Sequence, residues 1–113
     1  MQTLIIPADG SEVRWEDPEK IDLDYLSEKV GGYIEAVSIG EDITMYLHEE
    51  GKIMGLPRNE RATRLAKKYG RISLMDYIVG NVVMVGGVDE EGYDTGLSQT
   101  SKGWLELEVK RRG

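Results

Sequence analysis

The chain contains no cysteine, no phenylalanine and a single histidine among its 113 residues. Without cysteine it can form neither disulfides nor thiolate zinc sites, and it offers no thiol nucleophile. No apolar run approaches the roughly 20 residues that a membrane-spanning helix needs. Aromatic residues make up only 7% of the chain, which leaves few side chains for stacking nucleic-acid bases. We therefore expect a cytoplasmic protein with one domain over residues 1–113 and no metal or cofactor.

Charge is strongly segregated along the chain. The 21 acidic and 14 basic residues give a net charge of −7, which repels nucleic acid at long range. Six of the basic residues lie between Arg58 and Arg71 with one acid, Glu60, so this segment carries +5 and the remainder −12. The segment is either an anion-binding surface or an internal electrostatic clasp.

Alternating apolar residues and clusters of turn-forming residues predict about five to seven short strands. The predicted strands are Thr3–Ile6, Ser11–Trp15, Tyr33–Ile39, Ile43–His48, Lys52–Met54, the segment 77–85 around Gly80, and Trp104–Lys110.

Two helices are predicted. The first carries Leu23, Leu26 and Val30 on one face, after a capping residue such as Asp22. The second, Asn59–Tyr69, has an N-cap asparagine and is followed by Gly70, where a left-handed residue is favoured. The expected fold is α+β, with a largely antiparallel sheet and both helices packed on one face.

The basic residues of the second helix follow a helical period. Ala62, Leu65, Ala66 and Tyr69 share one face of this helix, and the cations fall in a narrow arc on another. This arc, the basic stripe, consists of Arg61, Arg64, Lys68 and Arg71. Three interpretations stay open: a solvated face paired with the acidic remainder, a contact for an anionic partner, or a clasp between copies of the chain.

No catalytic pattern accompanies the stripe. His48 stands at a strand end beside two glutamates, as surface histidines do, and no Ser/His/Asp grouping can be recognised. Residues 89–94 lack the spacing of a calcium loop and are interpreted as a solvated turn. The chain also lacks the glycine-rich phosphate-binding motifs, so we expect no enzyme.

Several segments carry a family resemblance: V-G-G-Y-I-E-A-V at 30–37, G-L-P-R-N-E-R-A-T at 55–63, I-V-G-N-V-V at 78–83 and D-E-E-G-Y-D-T-G-L at 89–97. In this order they resemble the Domain of Unknown Function 3846 family over roughly residues 30–98. The resemblance implies a small accessory protein of a phage, prophage or conjugative element, and it implies no catalytic residues. The predicted C-terminal strand departs from the helical character expected of the family.

The first functional hypothesis is a non-enzymatic protein that binds a host protein or a second copy of itself, in the manner of proteins that counter host defence. Its contact residues would be Arg58, Asn59, Arg61, Arg64, Lys68 and Arg71. A second hypothesis is a sponge for a phosphorylated nucleotide, held by Arg58, Asn59 and Arg61 at the helix entrance. A third is mimicry of DNA by the acidic remainder. Nucleic acid and membrane are not expected as partners.

Overall fold

The computed structural model describes residues 1–40 and 42–110 and contains one five-stranded antiparallel sheet with three helices. The α+β class is therefore confirmed. The strand order is β2-β1-β5-β4-β3. The elements in chain order are β1 (Thr3–Ile6), β2 (Arg14–Glu16), α1 (Leu23–Val30), β3 (Ile34–Ser38), β4 (Thr44–His48), α2 (Glu60–Lys68), β5 (Val82–Val85) and α3 (Gln99–Lys110).

Two hairpins flank the central strand. In the first, Leu4 of β1 lies opposite Trp15 of β2, and in the second Ala36 of β3 lies opposite Tyr46 of β4. Strand β5 joins them by pairing with β1 on one side and β4 on the other. Its four residues are all fully buried, as expected for an apolar run without polar alternation.

The sheet is covered on both faces, and the two predicted helices, α1 and α2, lie on opposite faces and not on one face as expected. Helices α2 and α3 cover one face, where Leu65 and Leu105 pack against Leu4 and Met84. Helix α1 covers the other face with Leu26 and Val30 against Ile5, Val83 and Val85. Strands whose side chains are apolar in both directions need a helix on each side, because an uncovered face would expose them to water.

The boundaries of α1 and α2 follow their capping residues. Asp22 accepts a hydrogen bond from the backbone N–H of Tyr25, and Gly31 ends α1 at φ 88°. Asn59 caps α2 in the same way, and Gly70 follows at φ 65°. Leu23, which was predicted to share a face with Leu26 and Val30, lies in the first turn of α1 and is 64% exposed, whereas the other two are buried.

The predicted strand Trp104–Lys110 is wrong, because this segment belongs to α3. Ser98 accepts a hydrogen bond from the N–H of Ser101 at 3.1 Å and so caps the helix. Leu105 is buried, whereas Leu107, its neighbour in the alternation, is 69% exposed. Seven alternating residues also fit a helical face, and the serine cap was the overlooked signal.

The predicted strand Lys52–Met54 is also wrong, because the chain forms successive turns there. The N–H of Met54 bonds to the carbonyl of Glu50, and the N–H of Gly55 bonds to that of Lys52. Gly55 adopts φ 70°, a conformation that favours turns over strands. Among the described residues, no helix combines the length and apolarity that crossing a bilayer requires.

Candidate functional site

The basic stripe makes most of its contacts within the fold. Arg61 donates from Nη2 to the carbonyl oxygens of Pro7 at 2.8 Å and Ser11 at 2.7 Å. Both carbonyls belong to the turn that joins β1 to β2. The guanidinium therefore fixes that turn against the start of α2.

The next two stripe residues tie α2 to α3. Lys68 Nζ lies 2.8 Å from both carboxylate oxygens of Glu108, and Arg64 donates to the carbonyl oxygen of Glu108 at 3.4 Å. The Glu108 side chain is only 7% exposed, whereas that of Lys68 is 40% exposed. Partial solvation of Lys68 weakens this ion pair, so its main effect is to orient the two helices. Three of the four stripe residues thus connect elements of the same chain.

Asn59 lies in the interior and is 1% exposed. Its Oδ1 accepts the N–H of Ala62 at 3.1 Å, and its Nδ2 donates to the carbonyls of Ile6 and Gly80, each at 2.9 Å. These bonds use both donors of the amide and its oxygen, so the side chain has nothing to offer a ligand in solvent.

The neighbours of Asn59 in the G-L-P-x-N-x-x-A-T segment have related roles. Thr63 Oγ1 accepts the N–H of Ile78 at 2.9 Å and lies 3.3 Å from its carbonyl oxygen. Leu56 lies against Gly80, where an added Cβ would approach Leu56 Cδ1 to 3.0 Å. The segment therefore binds the start of α2 to residues 78–80 that lead into β5.

The open groove at the entrance of α2 has a volume of about 380 Å³. Arg61, which the nucleotide hypothesis needs there, is occupied by the carbonyls of Pro7 and Ser11. Two carboxylates, Asp9 and Glu60, also line the groove. Hydrogen bonds from Ser11 keep the pKa of Asp9 below its usual value, so this carboxylate stays ionised and opposes a phosphate.

The remaining cations of the 58–71 segment lie near a different feature, which we name the loop face. It consists of two neighbouring loops, 52–54 and 71–77. Four large apolar side chains stand out from it into solvent: Ile53 is 87% exposed, Met54 58%, Leu74 83% and Met75 90%. Large apolar side chains that stand exposed on adjoining loops are candidates for an interaction site.

The two loops of this face are fastened together. Lys52 forms an ion pair with Asp76, and its Nζ lies 4.6 Å from the ring centroid of Tyr77. Arg58 Cζ lies 5.3 Å from the same centroid, while Arg58 Nε contacts Glu60 at 2.9 Å. The pKa of Asp76 is lowered mainly by the hydrogen bond from Lys52 and, to a smaller extent, by the hydrogen bond from the N–H of Tyr77. The apolar side chains therefore project from a connected base.

Two cations of the 58–71 segment lie at the loop face outside every ion pair between described residues. Lys67 in the last turn of α2 and Arg71 just after it make no ion pair with any carboxylate in residues 1–40 or 42–110. Lys67 still contributes to the lowered pKa of Asp76, which places it on this side of the molecule. Arg71 is the one predicted stripe residue that remains exposed without a hydrogen bond from its side chain to the described part of the chain.

A cleft of about 140 Å³ separates the loop face from the edge of the sheet. Its floor is formed by Val37 of β3 and Leu47 of β4, and its walls by residues of both loops. The lining also carries polar side chains: Glu35, His48, Glu49, Lys52, Asp76 and Tyr77.

His48 is 5% exposed, so the expectation of a surface histidine is wrong. Its ring packs against Gly32, where an added Cβ would approach Nε2 to 2.5 Å. Nδ1 accepts the N–H of Glu50 at 3.0 Å, which leaves the proton of the neutral ring on Nε2. A backbone group, and not a carboxylate, thus orients the imidazole.

The acidic segment 89–94 forms an exposed turn closed by its own residues. Asp89 Oδ1 accepts the N–H groups of Glu91 and Tyr93, each at 2.9 Å. Asp94 accepts the hydroxyl of Tyr46 at 2.8 Å. In the described part of the chain, no three His, Asp or Glu residues form a group that could hold a metal ion.

Sequence reasoning missed the exposed apolar residues of the loop face. The pair Leu74-Met75 stands between a helix end and a strand, without the periodicity of either, and this was the available signal. Ile53 and Met54 were assigned to a strand, although Gly51 and Gly55 enclose them. An apolar pair enclosed by turn-forming residues, with no neighbouring element to cover it, indicates an exposed loop.

No curated protein and no solved structure matches this chain. One family matches, described as "Domain of unknown function (DUF3846)", and the match spans residues 1–107 of the 113. It extends the resemblance seen at residues 30–98 in both directions and includes most of α3, as far as residue 107. By its sequence, the chain is a member of the DUF3846 family.

Proposed function

We propose that this protein is a non-enzymatic binding protein that docks on a partner protein through its loop face. The observation that carries the proposal is the projection of Ile53, Met54, Leu74 and Met75 from two loops fastened by the Lys52–Asp76 pair. Because the Lys52–Asp76 pair fastens the two loops before binding, less backbone entropy is lost when their apolar side chains are covered, which favours association.

The surroundings define the chemistry of the partner. Methionine, tyrosine and arginine are enriched at protein interfaces, and Met75, Tyr77 and Arg58 lie together here. Lys67 and Arg71 form no ion pair with the described carboxylates, so carboxylates on the partner protein would complement them. The proposed partner therefore presents an apolar pocket with an acidic rim, and we propose that it is a host protein of the cytoplasm.

The proposed contact surface lies at the C-terminal end of the basic stripe and not at its middle, where the sequence had suggested it. Arg61, Arg64 and Lys68 are committed to contacts inside the fold, and Asn59 is buried. Arg58 and Arg71 keep the binding role proposed from the sequence. The groove at the entrance of α2 supports a nucleotide less well, because Asp9 and Glu60 line it.

The test compares a double substitution on the loop face with a single substitution elsewhere. Leu74→Asp with Met75→Asp changes the loop face, and Leu107→Asp changes an equally apolar residue on α3 that is 69% exposed. A partner captured from host lysate is purified, and its affinity is measured by calorimetry for each variant. We expect the loop-face variant to bind at least about 30-fold more weakly, as for loss of an interface hot spot, and Leu107→Asp to bind as wild type does.

A second comparison distinguishes an arginine that contacts the partner from an arginine that stabilises the fold. Arg71→Glu should weaken the complex and leave the melting temperature unchanged, whereas Arg61→Glu should lower the melting temperature by losing its two carbonyl contacts. Equal binding by the wild type, the loop-face variant and Arg71→Glu would rule out the loop face as the contact surface.

A further inference from the structure

Strand β3 ends the sheet, and its outer backbone groups bond to no other described residue. The N–H of Glu49 bonds to the carbonyl of Tyr33, and the N–H of Ile39 bonds to that of Ile43. Because hydrogen-bonded and non-bonded pairs alternate along an antiparallel ladder, residues 35 and 37 bond to β4. The N–H and C=O groups of Ile34, Ala36 and Ser38 therefore point outward from the edge.

The two edges of the sheet differ in their protection. Edge strand β2 has three residues, two of them charged, and Pro18 follows soon after it. Short length, charge and proline are the usual means by which proteins prevent edge pairing. Strand β3 has five residues, one charge and no proline, and Ala36 and Ser38 on it are exposed. It is the edge left open to another strand.

The sequence of β3 is compatible with itself in one antiparallel register. Centring the pair on Ala36 sets Ile34 opposite Ser38, Glu35 opposite Val37, and Ala36 opposite Ala36 of the second copy. This register alone pairs all five residues and sets no like charges directly opposite each other. A register that sets Glu35 opposite Glu35 would be destabilised by repulsion.

We propose that a second copy of this chain pairs with β3 in this register and extends the sheet to ten strands across a two-fold axis at Ala36. The dimer is independent of the loop-face proposal. Glu35 and Val37 line the cleft beside the loop face. Pairing β3 with its copy therefore brings the two clefts together on one face of the continuous sheet.

The first measurement is the mass of the wild-type protein by sedimentation equilibrium from about 1 µM to about 1 mM, the range in which weak interfaces are populated. We expect a reversible transition from 12.7 kDa to twice that mass. A monomer over the whole range would overturn the proposal.

The second measurement tests the register through the residue on the axis. Ala36→Glu and Ala36→Lys each set like charges opposite one another, so each alone should raise the dimer dissociation constant at least tenfold. An equal mixture should restore the dimer, because a glutamate then faces a lysine. Ala36 is exposed, and thermal melts at about 1 µM, where the wild type is expected to be monomeric, should show that both variants fold.

The control pair is Leu107→Glu and Leu107→Lys on α3, which should dimerise as the wild type does, singly or mixed. A dimer that forms equally well with either Ala36 variant alone would show that the copies meet elsewhere, and it would overturn the proposal. Weaker dimers that mixing does not restore would also contradict the two-fold axis at Ala36.

Discussion

At the scale of single residues, Asn59 shows that a residue of the G-L-P-x-N-x-x-A-T segment can serve the fold and not a ligand. Its amide joins the start of α2 to the carbonyl of Ile6, 53 residues away, and to that of Gly80, 21 residues away. The N-cap function was predictable, because it depends on residues next in sequence. The other two bonds were not predictable, since they require the ends of β1 and α2 to meet.

Replacing Asn59 with aspartate should be strongly destabilising. Aspartate keeps the cap on Ala62 but loses both donors, and it sets a carboxylate beside two buried carbonyl oxygens. We expect a loss of about 3 kcal/mol or more in the free energy of unfolding, from two unsatisfied groups and a buried charge. Urea denaturation measures it. Arg58→Ala, beside it on the surface, is the control, and a loss below about 1 kcal/mol in Asn59→Asp would contradict this role.

For His48, the sequence predicted the wrong environment. A polar residue at a strand end next to two glutamates is usually exposed, and nothing nearby in sequence indicates otherwise. It is buried because Gly32, 16 residues earlier, has no side chain where the imidazole lies. Such a fit between distant residues is set by the tertiary arrangement, which local patterns do not contain.

At the scale of elements, the sequence predicted those whose signals are local. Caps and turn glycines located α1, α2 and four of the strands to within a few residues. The prediction of α3 failed for two reasons. Gly103 inside the helix lowers its helix propensity, and its apolar residues also alternate as in a strand. Its contacts with α2 through Lys68 and Glu108 and its packing on the sheet override that weak local preference.

Replacing Gly103 with alanine should stabilise the protein. An added Cβ meets no atom within 4 Å there, and the residue lies inside a helix. Alanine should raise the free energy of unfolding by about 0.5–1 kcal/mol through lower backbone entropy of the unfolded chain.

Gly10 provides the matched control for that prediction. It has equally open surroundings but adopts φ 83°, so Gly10→Ala should destabilise the protein by about 1 kcal/mol. Chemical denaturation of both variants gives the comparison. Two changes of the same sign would show that backbone conformation is not what distinguishes the two sites.

At the scale of the whole molecule, two tyrosines connect separate parts of the fold. The Tyr25 hydroxyl on α1 lies 2.6 Å from Thr3 Oγ1 on β1 and donates to Glu16 of β2 at 2.7 Å. Burial, with the contribution of Glu16, raises the pKa of Tyr25 to about 12. Burial and the hydrogen bond to Asp94 likewise raise the pKa of Tyr46. Both residues are held neutral in the folded protein.

Stability should consequently fall in alkaline solution. A folded-state pKa above the unfolded value of 10.0 means that the contribution of Tyr25 is complete below that pH and is lost as the pH rises to about 12. Urea midpoints should decline through this window, and less steeply in Tyr25→Phe with Tyr46→Phe. Between about pH 7 and about pH 9 the difference between variant and wild type should stay constant, because both tyrosines are neutral in either state. Parallel declines of the two proteins would refute the assignment.

The central position of β5 has a consequence for synthesis on the ribosome. Strands β1 and β4 meet only through β5, so the first 81 residues can form two separate hairpins but no continuous sheet. Isolated hairpins are at best marginally stable in water. A growing chain should therefore stay open to proteases and chaperones until Val82–Val85 has left the exit tunnel, and should then close in one cooperative step.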